Sequence, residues 1–427
     1  MTSAPKGSEG RREWQAHWRV PVAAAAAVMA SLIHFGTLGV FLPAIEAETG
    51  WSRSGITLGM MIFSIESTVT APFVGMLVDR FGPRRVGIPG LVIYLTAVAL
   101  LGLVGQSIWM WWGVWMLVGI GDSLAKFNVW TTAVSRHFDK ARGMAIAVAL
   151  AGTSISGMAM PLLAALALKY ADWRTGYVAI ACLQAVIALP LVIRWLSDGE
   201  RPPSPTASAT VETVGPSLAQ LLKSRLFLIF ATICAATFMP LSGLNVHFVP
   251  ILRENGIAAE LAAGLAAAIG AASLAGQALS GGLLDRFRGQ FVLAAFLLLG
   301  IAAVIALLIS HLVWAGIFAA ITFGLLSGAA PASVAYLCSR HFELRFYGTI
   351  LASLGGVMSL SAGLGSVIAG AVFDRFGSYT PLILAALPLF GLAIIMNITL
   401  GGRPVEREPS GYRHGAGLQR QHTGGSN

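Results

Sequence analysis

The sequence predicts an all-α polytopic membrane protein with twelve transmembrane helices in two parallel six-helix repeats. Three observations carry this reading. Apolar residues make up 56% of the 427 residues and charged ones only 11%, far below the roughly one quarter charged that soluble domains show. From Val20 onward the chain divides into twelve apolar blocks, each near the roughly 20 residues that cross a bilayer as a helix. Finally, two unrelated strings recur. Gly75-Met76-Leu77-Val78-Asp79-Arg80-Phe81-Gly82-Pro83-Arg84-Arg85 returns as Gly281-Gly282-Leu283-Leu284-Asp285-Arg286-Phe287-Arg288-Gly289, and Ser135-Arg136-His137-Phe138 returns as Ser339-Arg340-His341-Phe342. Two strings displaced together by roughly two hundred positions mark a duplicated chain.

In chain order, residues 1–19 form a polar tail with Lys6, Arg11, Arg12 and Arg19, too charged before the first apolar block for a cleavable signal peptide. The blocks follow at 20–43, 54–78, 86–105, 108–134, 142–168, 174–196, 226–251, 258–284, 290–309, 312–338, 346–372 and 380–400. They are continuous rather than alternating, so they read as helices and not barrel strands. Residues 197–225, with Pro202, Pro203 and Pro205 among serines and threonines, read as a flexible linker between a half at 20–196 and a half at 226–400. The polar, glycine-rich tail at 401–427 is expected to be disordered.

The net charge of +9 is scattered between apolar runs, so it describes topology and not a nucleic-acid surface. Arg53, Lys169, Arg174, Arg253 and Arg375 fall on one side of the predicted membrane and Lys126 inside a block. Every other lysine and arginine falls on the side of the N-terminus. Positive residues mark the cytoplasmic side, which places both termini there. Cys182, Cys234 and Cys338 sit singly in apolar blocks and read as packing residues. No spacing suggests a metal or a cofactor.

The candidate functional residues are those that a lipid-exposed helix would reject, because a charge at mid-membrane is costly and normally faces a cavity or a partner. Block one carries His34 and block two Glu66. Block four carries Asp122 and Lys126, one helical turn apart on one face, with Asn128 nearby. Block seven carries Asn245 and His247, block eight Gln277, and block ten Tyr336 with Ser327 and Ser333. Each has a structural alternative: an Asp122–Lys126 pair that fixes a helix, a neutral Glu66 bonded to a neighbour, a core histidine at His34, an interfacial His247. Their concentration on blocks one, two, four and seven is the functional signal. Glycines 143, 152 and 157 in block five, and 348, 355, 356, 363, 365 and 370 in block eleven, suit helices that slide against neighbours. Pro72, Pro161, Pro240 and Pro331 are expected to bend their helices.

Gly75, Asp79, Arg80, Gly82, Arg84 and Arg85 together resemble the signature loop between helices two and three of the major facilitator superfamily, and Asp285 and Arg286 supply its second copy. The resemblance spans essentially the whole chain and implies the major facilitator fold, with helices one, four, seven and ten lining a mid-membrane site. Thr49-Gly50-Trp51-Ser52-Arg53-Ser54, Arg142-Gly143-Met144-Ala145 and Asp172-Trp173-Arg174 are similar to the bacterial monocarboxylate-transporter-like branch. That similarity implies proton-linked transport of a small organic anion across a bacterial-type inner membrane. The chain departs from the branch in block eight, where Gln277 stands in place of an arginine, leaving Lys126 as the buried permanent cation, with His34 and His247 as helpers.

The sequence therefore predicts a secondary transporter working by alternating access as a monomer, with no cofactor and no metal. Its partners are a small solute, protons and the bilayer. His34, Asp122, Lys126, Asn128, Asn245, His247 and Tyr336 are the candidate substrate contacts. Glu66 and Asp122 are the proton carriers. The loop residues are the gate, Asp79 pairing with nearby arginines and the start of helix eleven as the resemblance suggests. Export of amphipathic or cationic compounds is the alternative, with Asp122 and Glu66 as attractants. A membrane enzyme is disfavoured, since the chain carries neither a nucleotide loop nor a catalytic constellation.

Overall fold

The structure is a computed structural model that describes residues 6–198, 223–342 and 347–400. Most of the expected linker, and all of the C-terminal tail from 401, lie outside the described residues. The helices are α1 (Lys6–His17), α2 (Arg19–Ala30), α3 (Ile33–Thr49), α4 (Arg53–Phe81), α5 (Pro83–Leu101), α6 (Ile108–Ala125), α7 (Phe127–Ser135), α8 (Arg142–Tyr170) and α9 (Trp173–Trp195). They continue as α10 (Arg225–Val246), α11 (Phe248–Glu254), α12 (Ala259–Arg286), α13 (Gly289–Leu308), α14 (Val313–His341), α15 (Tyr347–Phe376) and α16 (Thr380–Thr399). These make twelve spans. Span one is α2 with α3, span four α6 with α7, and span seven α10 with α11. Residues 6–17 of the predicted tail are helical.

Ten spans are each long and apolar enough to cross a membrane, and α4, bent by 52° between Ala71 and Phe73, is an eleventh. That leaves span four. Its upper part carries Asp122, and its helix stops at Ala125 because Lys126 adopts an extended backbone, φ −63° and ψ 155°. The carbonyl this frees on Ala125 accepts the Trp130 indole N–H at 2.5 Å. A broken backbone inside a membrane survives only where protein buries it or a cavity hydrates it.

The duplication is visible in the packing. Gly87 of α5 leaves room for the Trp130 ring, and Gly289 of α13 does the same for the Tyr336 ring. In both copies of Ser-Arg-His-Phe the histidine Nδ1 bonds the carbonyl four residues back, Ala133 for His137 at 2.8 Å and Leu337 for His341 at 2.9 Å. Both serines bond the carbonyl three back, and both phenylalanines are buried. The repeated string is a helix-end device, used twice.

The halves meet along two seams, α4 against α15 and α8 against α12. On α15, Gly370 lies over the Arg53–Ser54 backbone, Gly363 over Met61 and Ser64, and Gly356 over Thr68. Their spacing of seven residues puts all three on one stripe. On the second seam Gly157 and Gly270 touch backbone to backbone. Toward the end of the bundle that bears the N-terminus both seams part. There α4 buries only Val74 and Val78, against Val86 and Val129 of its own half, and exposes Phe73 and Met76, 58% and 60%. Met144 is likewise 64% exposed, and nothing lies within 4 Å of a Cβ placed at Gly281 or Gly282. The bundle is closed at the far end, called distal below, and splayed at the terminus end.

Gly270→Ala should therefore act as a wedge. A Cβ there would collide with the Gly157–Met158 backbone, and overpacking of this kind costs about 1–3 kcal/mol. The expected result is a shift toward the distal-open arrangement with the protein still folded, measured by cysteine accessibility at distal positions.

Candidate functional site

Two polar clusters sit where the apolar pattern of the spans fails. The first lies at mid-depth in the N-terminal half. Lys126, at the break of span four, donates from Nζ to Ser67 Oγ of α4 at 2.5 Å. Glu66, beside it on α4, accepts from Ser123 Oγ at 3.3 Å, and Thr70 Oγ1 donates to Ser123 Oγ at 2.9 Å. Gly119 of α6 makes room for the Glu66 carboxyl, whose Oε1 is buried without a partner among the described residues. In the second half the same crossing places Gly324 against Ala272, so the carboxyl belongs to one repeat only. Asp122 is buried on α6, within electrostatic reach of Lys126 and Glu66.

The Asp122–Lys126 pair along one helix face, the structural alternative for these residues, does not form among the described residues. The helix ends between them, and Lys126 is turned to Ser67 instead. His34 stands at the start of α3, just after the turn at Ser31–Leu32 that breaks span one. It is fully buried among Phe35, Phe63, Tyr94 and Trp115. Tyr94 Oη accepts the His34 backbone N–H at 3.3 Å and lies 2.8 Å from Nδ1. Nε2 has no partner among the described residues.

The second cluster joins the two halves at the distal end. Arg53, the first residue of α4, donates through Nε to Glu46 Oε2 at 2.8 Å and through Nη1 to Tyr379 Oη at 2.7 Å. Its guanidinium lies 3.5 Å from the centre of the Phe373 ring. Asp374, at the end of α15, accepts the backbone N–H groups of Arg53 and Ser54, both at 2.9 Å. A carboxylate from one half thus caps a helix of the other, where the helix dipole and unpaired N–H groups favour an anion. His247, at the break of span seven, lies behind Tyr379 with Nδ1 2.7 Å from Oη and Nε2 3.2 Å from the Ser366 carbonyl.

The predicted site residues therefore do not gather in one place. His34, Glu66, Asp122 and Lys126 share the N-terminal cluster, whereas His247 belongs to the distal one. Asn245 is half-buried beside His247, and Asn128 is exposed on α7. Tyr336 packs at the terminus end with Arg340, whose Nη2 donates to its hydroxyl at 3.1 Å. Gln277 is exposed on α12.

The signature loop is organised by a residue the sequence reading passed over. Asp198, just after α9, accepts the Arg84 backbone N–H at 2.8 Å and lies against Gly82, whose φ of +90° admits no side chain without strain. Arg84 Nη2 donates to the Ile193 carbonyl at 2.7 Å, while Gly75, Asp79, Arg80, Arg85, Asp285 and Arg286 are exposed at the splayed end. Arg53 and Asp374 were also passed over as a pair. Asp374-Arg375-Phe376-Gly377 repeats the Asp79-Arg80-Phe81-Gly82 string, and that was the signal available.

Helix α1 docks nearby. Glu13 accepts the backbone N–H groups of Lys140 and Ala141 at 3.1 and 3.0 Å, and these bonds hold its carboxyl below the usual carboxylate range. A depressed carboxylate adds stability above its unfolded pKa and loses it as pH falls through the folded value. The protection of α1 amides from exchange, relative to their intrinsic rates, should accordingly be higher at neutral pH and fall below about pH 4, and Glu13→Gln should remove that dependence.

A duplicated helical bundle, shut at one end, open at the other and charged at mid-depth, is the architecture of a membrane transporter. The family model of the Major Facilitator Superfamily matches residues 24–366 and again 243–420. The chain belongs to that superfamily. It is 26% identical to monocarboxylate transporter 13 of Bos taurus over 401 residues, 89% of each chain. It is 24% identical to the agnestins efflux protein AgnL12 of Paecilomyces divaricatus over 311 residues, 71% of this chain and 68% of that one. The crystal structure of a bacterial homolog of the human lysosomal transporter Spinster, inward-facing and unoccupied, superposes with a TM-score of 0.62 at 17% identity, over 93% of this chain and 95% of that one.

Proposed function

We propose that the protein is a proton-coupled secondary transporter of a small organic solute, a carboxylate, working by alternating access. The observation that carries this is the break of span four at Lys126, which leaves a cation at mid-depth held by a single neutral hydroxyl. An ammonium hydrogen-bonded to a hydroxyl and not to a carboxylate is available to an anion, and spans one and seven are also broken, by tight turns, beside His34 and at His247. Interrupted spans are where transporters of several folds place their sites. Lys126 contacts the carboxylate, and Glu66 and Asp122, in reach of that charge, carry the proton. The similarity to a monocarboxylate transporter supports the substrate class. The bias of basic residues supports cytoplasmic termini in a bacterial-type inner membrane, so the splayed end faces the cytoplasm. One chain holds a complete repeat pair and functions as a monomer.

Uptake of labelled monocarboxylates into proteoliposomes, with and without a pH gradient, tests the reading. Gradient-driven uptake that Glu66→Gln uncouples supports it; uptake indifferent to the gradient sinks the coupling. Export of cationic compounds is the second reading, favoured by the unpartnered Glu66 Oε1 and the efflux relative. Under that reading a deletion strain grows poorly on the exported compound and normally on organic acids.

A further inference from the structure

We propose that His247 is a proton-operated latch on the distal gate: the neutral ring holds the halves together there, and protonation at Nδ1 releases them. This goes beyond the carboxyls assigned to coupling and does not depend on the carboxylate reading.

The argument is one of donors and acceptors. An arginine N–H can only donate, so Arg53 Nη1 gives its proton to Tyr379 Oη. A carbonyl can only accept, so His247 Nε2 carries a proton and gives it to Ser366. In the neutral ring that proton leaves Nδ1 bare, so the remaining contact, Tyr379 Oη to Nδ1 at 2.7 Å, runs from the hydroxyl to the ring nitrogen. The chain Arg53 to Tyr379 to His247 to Ser366 is complete only with a neutral histidine. A proton on Nδ1 turns that acceptor into a donor, leaves the Tyr379 O–H without its partner in a buried position, and places a second cation behind Arg53.

The surrounding charges favour release over accommodation. Tyr379 faces His247 from the start of α16, with its backbone N–H 3.4 Å from Glu254 of α11. Arg53 faces it from α4 with Glu46 of α3 behind, and Asp374 faces it from α15. Arg253 is exposed on α11, and Asn245 and Ser366 are neutral. Both Glu46 and Asp374 are engaged by Arg53, so neither is aimed at the imidazole. Tyr379 is also the wall of a cavity of about 30 Å³ at the distal face, lined by Glu254, Asn255 and Thr380. That is room for about one or two waters, enough to bring a proton from the distal solution to the phenol.

Tyr379 bonds Arg53, and Arg53 with its neighbour's backbone bonds Asp374, so the latch is in series with the inter-half cap. The test is a distance across the distal end at two pH values. Spin labels are placed on the full-length protein in nanodiscs at Lys169→Cys of α8 and Glu260→Cys of α12, with Cys182, Cys234 and Cys338 replaced by alanine. Lowering the pH from about 8 to about 5.5, across the histidine range, should raise the distal-open fraction about tenfold. His247→Gln, whose amide can accept from Tyr379 and donate to Ser366, should stay closed at both pH values. Tyr379→Phe should favour the open end at both. Glu66→Gln should keep the wild-type distance response even where it uncouples uptake. A pH response that survives in His247→Gln, or its absence from the wild type, overturns the latch. Loss of the response in Glu66→Gln with retention in His247→Gln would assign it to the mid-depth carboxyl instead.

Discussion

Arg53→Ala is expected to open the distal end about thirtyfold more often than the parent protein. Arg53 is 12% exposed and Glu46 32%, so the pair is shielded enough for its geometry to count. Removing the guanidinium deletes the bonds to Glu46 and Tyr379 and the contact with Phe373, and leaves a half-buried carboxylate alone. An estimate of about 2 kcal/mol, below the penalty for breaking a fully buried pair, gives that factor. Arg53→Lys should recover little, since an ammonium cannot serve Glu46 and Tyr379 in the fork geometry of arginine. Asp374→Ala should move the equilibrium the same way but less, by about the worth of one helix cap, roughly 1 kcal/mol. Distances between labels across the distal end measure all three. Indifference of the equilibrium to Arg53→Ala would show that the glycine seams alone hold the end shut.

Lys126→Ala is expected to lower the transport efficiency for a carboxylate about a hundredfold with little loss of stability. A charged hydrogen bond contributes about 1.5–3 kcal/mol, and the upper part of that range corresponds to two decades. Among the described residues the ammonium hydrogen-bonds Ser67 and pairs with no carboxylate, so thermal unfolding should move little, and Lys126→Met, which keeps the stem, should separate charge from packing. Ser67→Ala leaves the cation in place and should reduce uptake only slightly. Initial uptake rates against substrate concentration decide the matter. Normal carboxylate transport by Lys126→Met would remove the residue from the site.

Much of the fold was legible because membrane insertion is decided locally: a span is an apolar block of sufficient length, and a duplication repeats its strings. The turn in the signature loop was legible too, since Gly82, with φ +90°, answers a local backbone requirement. Three features were not. The breaks at Ser31–Leu32, Lys126 and His247 coincide with no proline, and the bonds that compensate them come from elsewhere, His34 N–H to Tyr94 and Ala125 carbonyl to Trp130. An unbroken helix would put Asp122 and Lys126 on one face, and the stop at Ala125 turns Lys126 to Ser67 instead. The distal lock joins residues more than three hundred positions apart, a distance no periodicity can register.

The sequence by itself therefore determined the class of machine, its twelve spans and its two repeats. These depend on transfer free energies and on spacing along one chain. Only the tertiary structure decided how those residues divide between a mid-depth cluster and a distal lock, and which end of the bundle is closed. That division depends on which helices the glycine stripe of α15 and Gly270 of α12 bring into contact, and hence on which donors find which acceptors across the two halves.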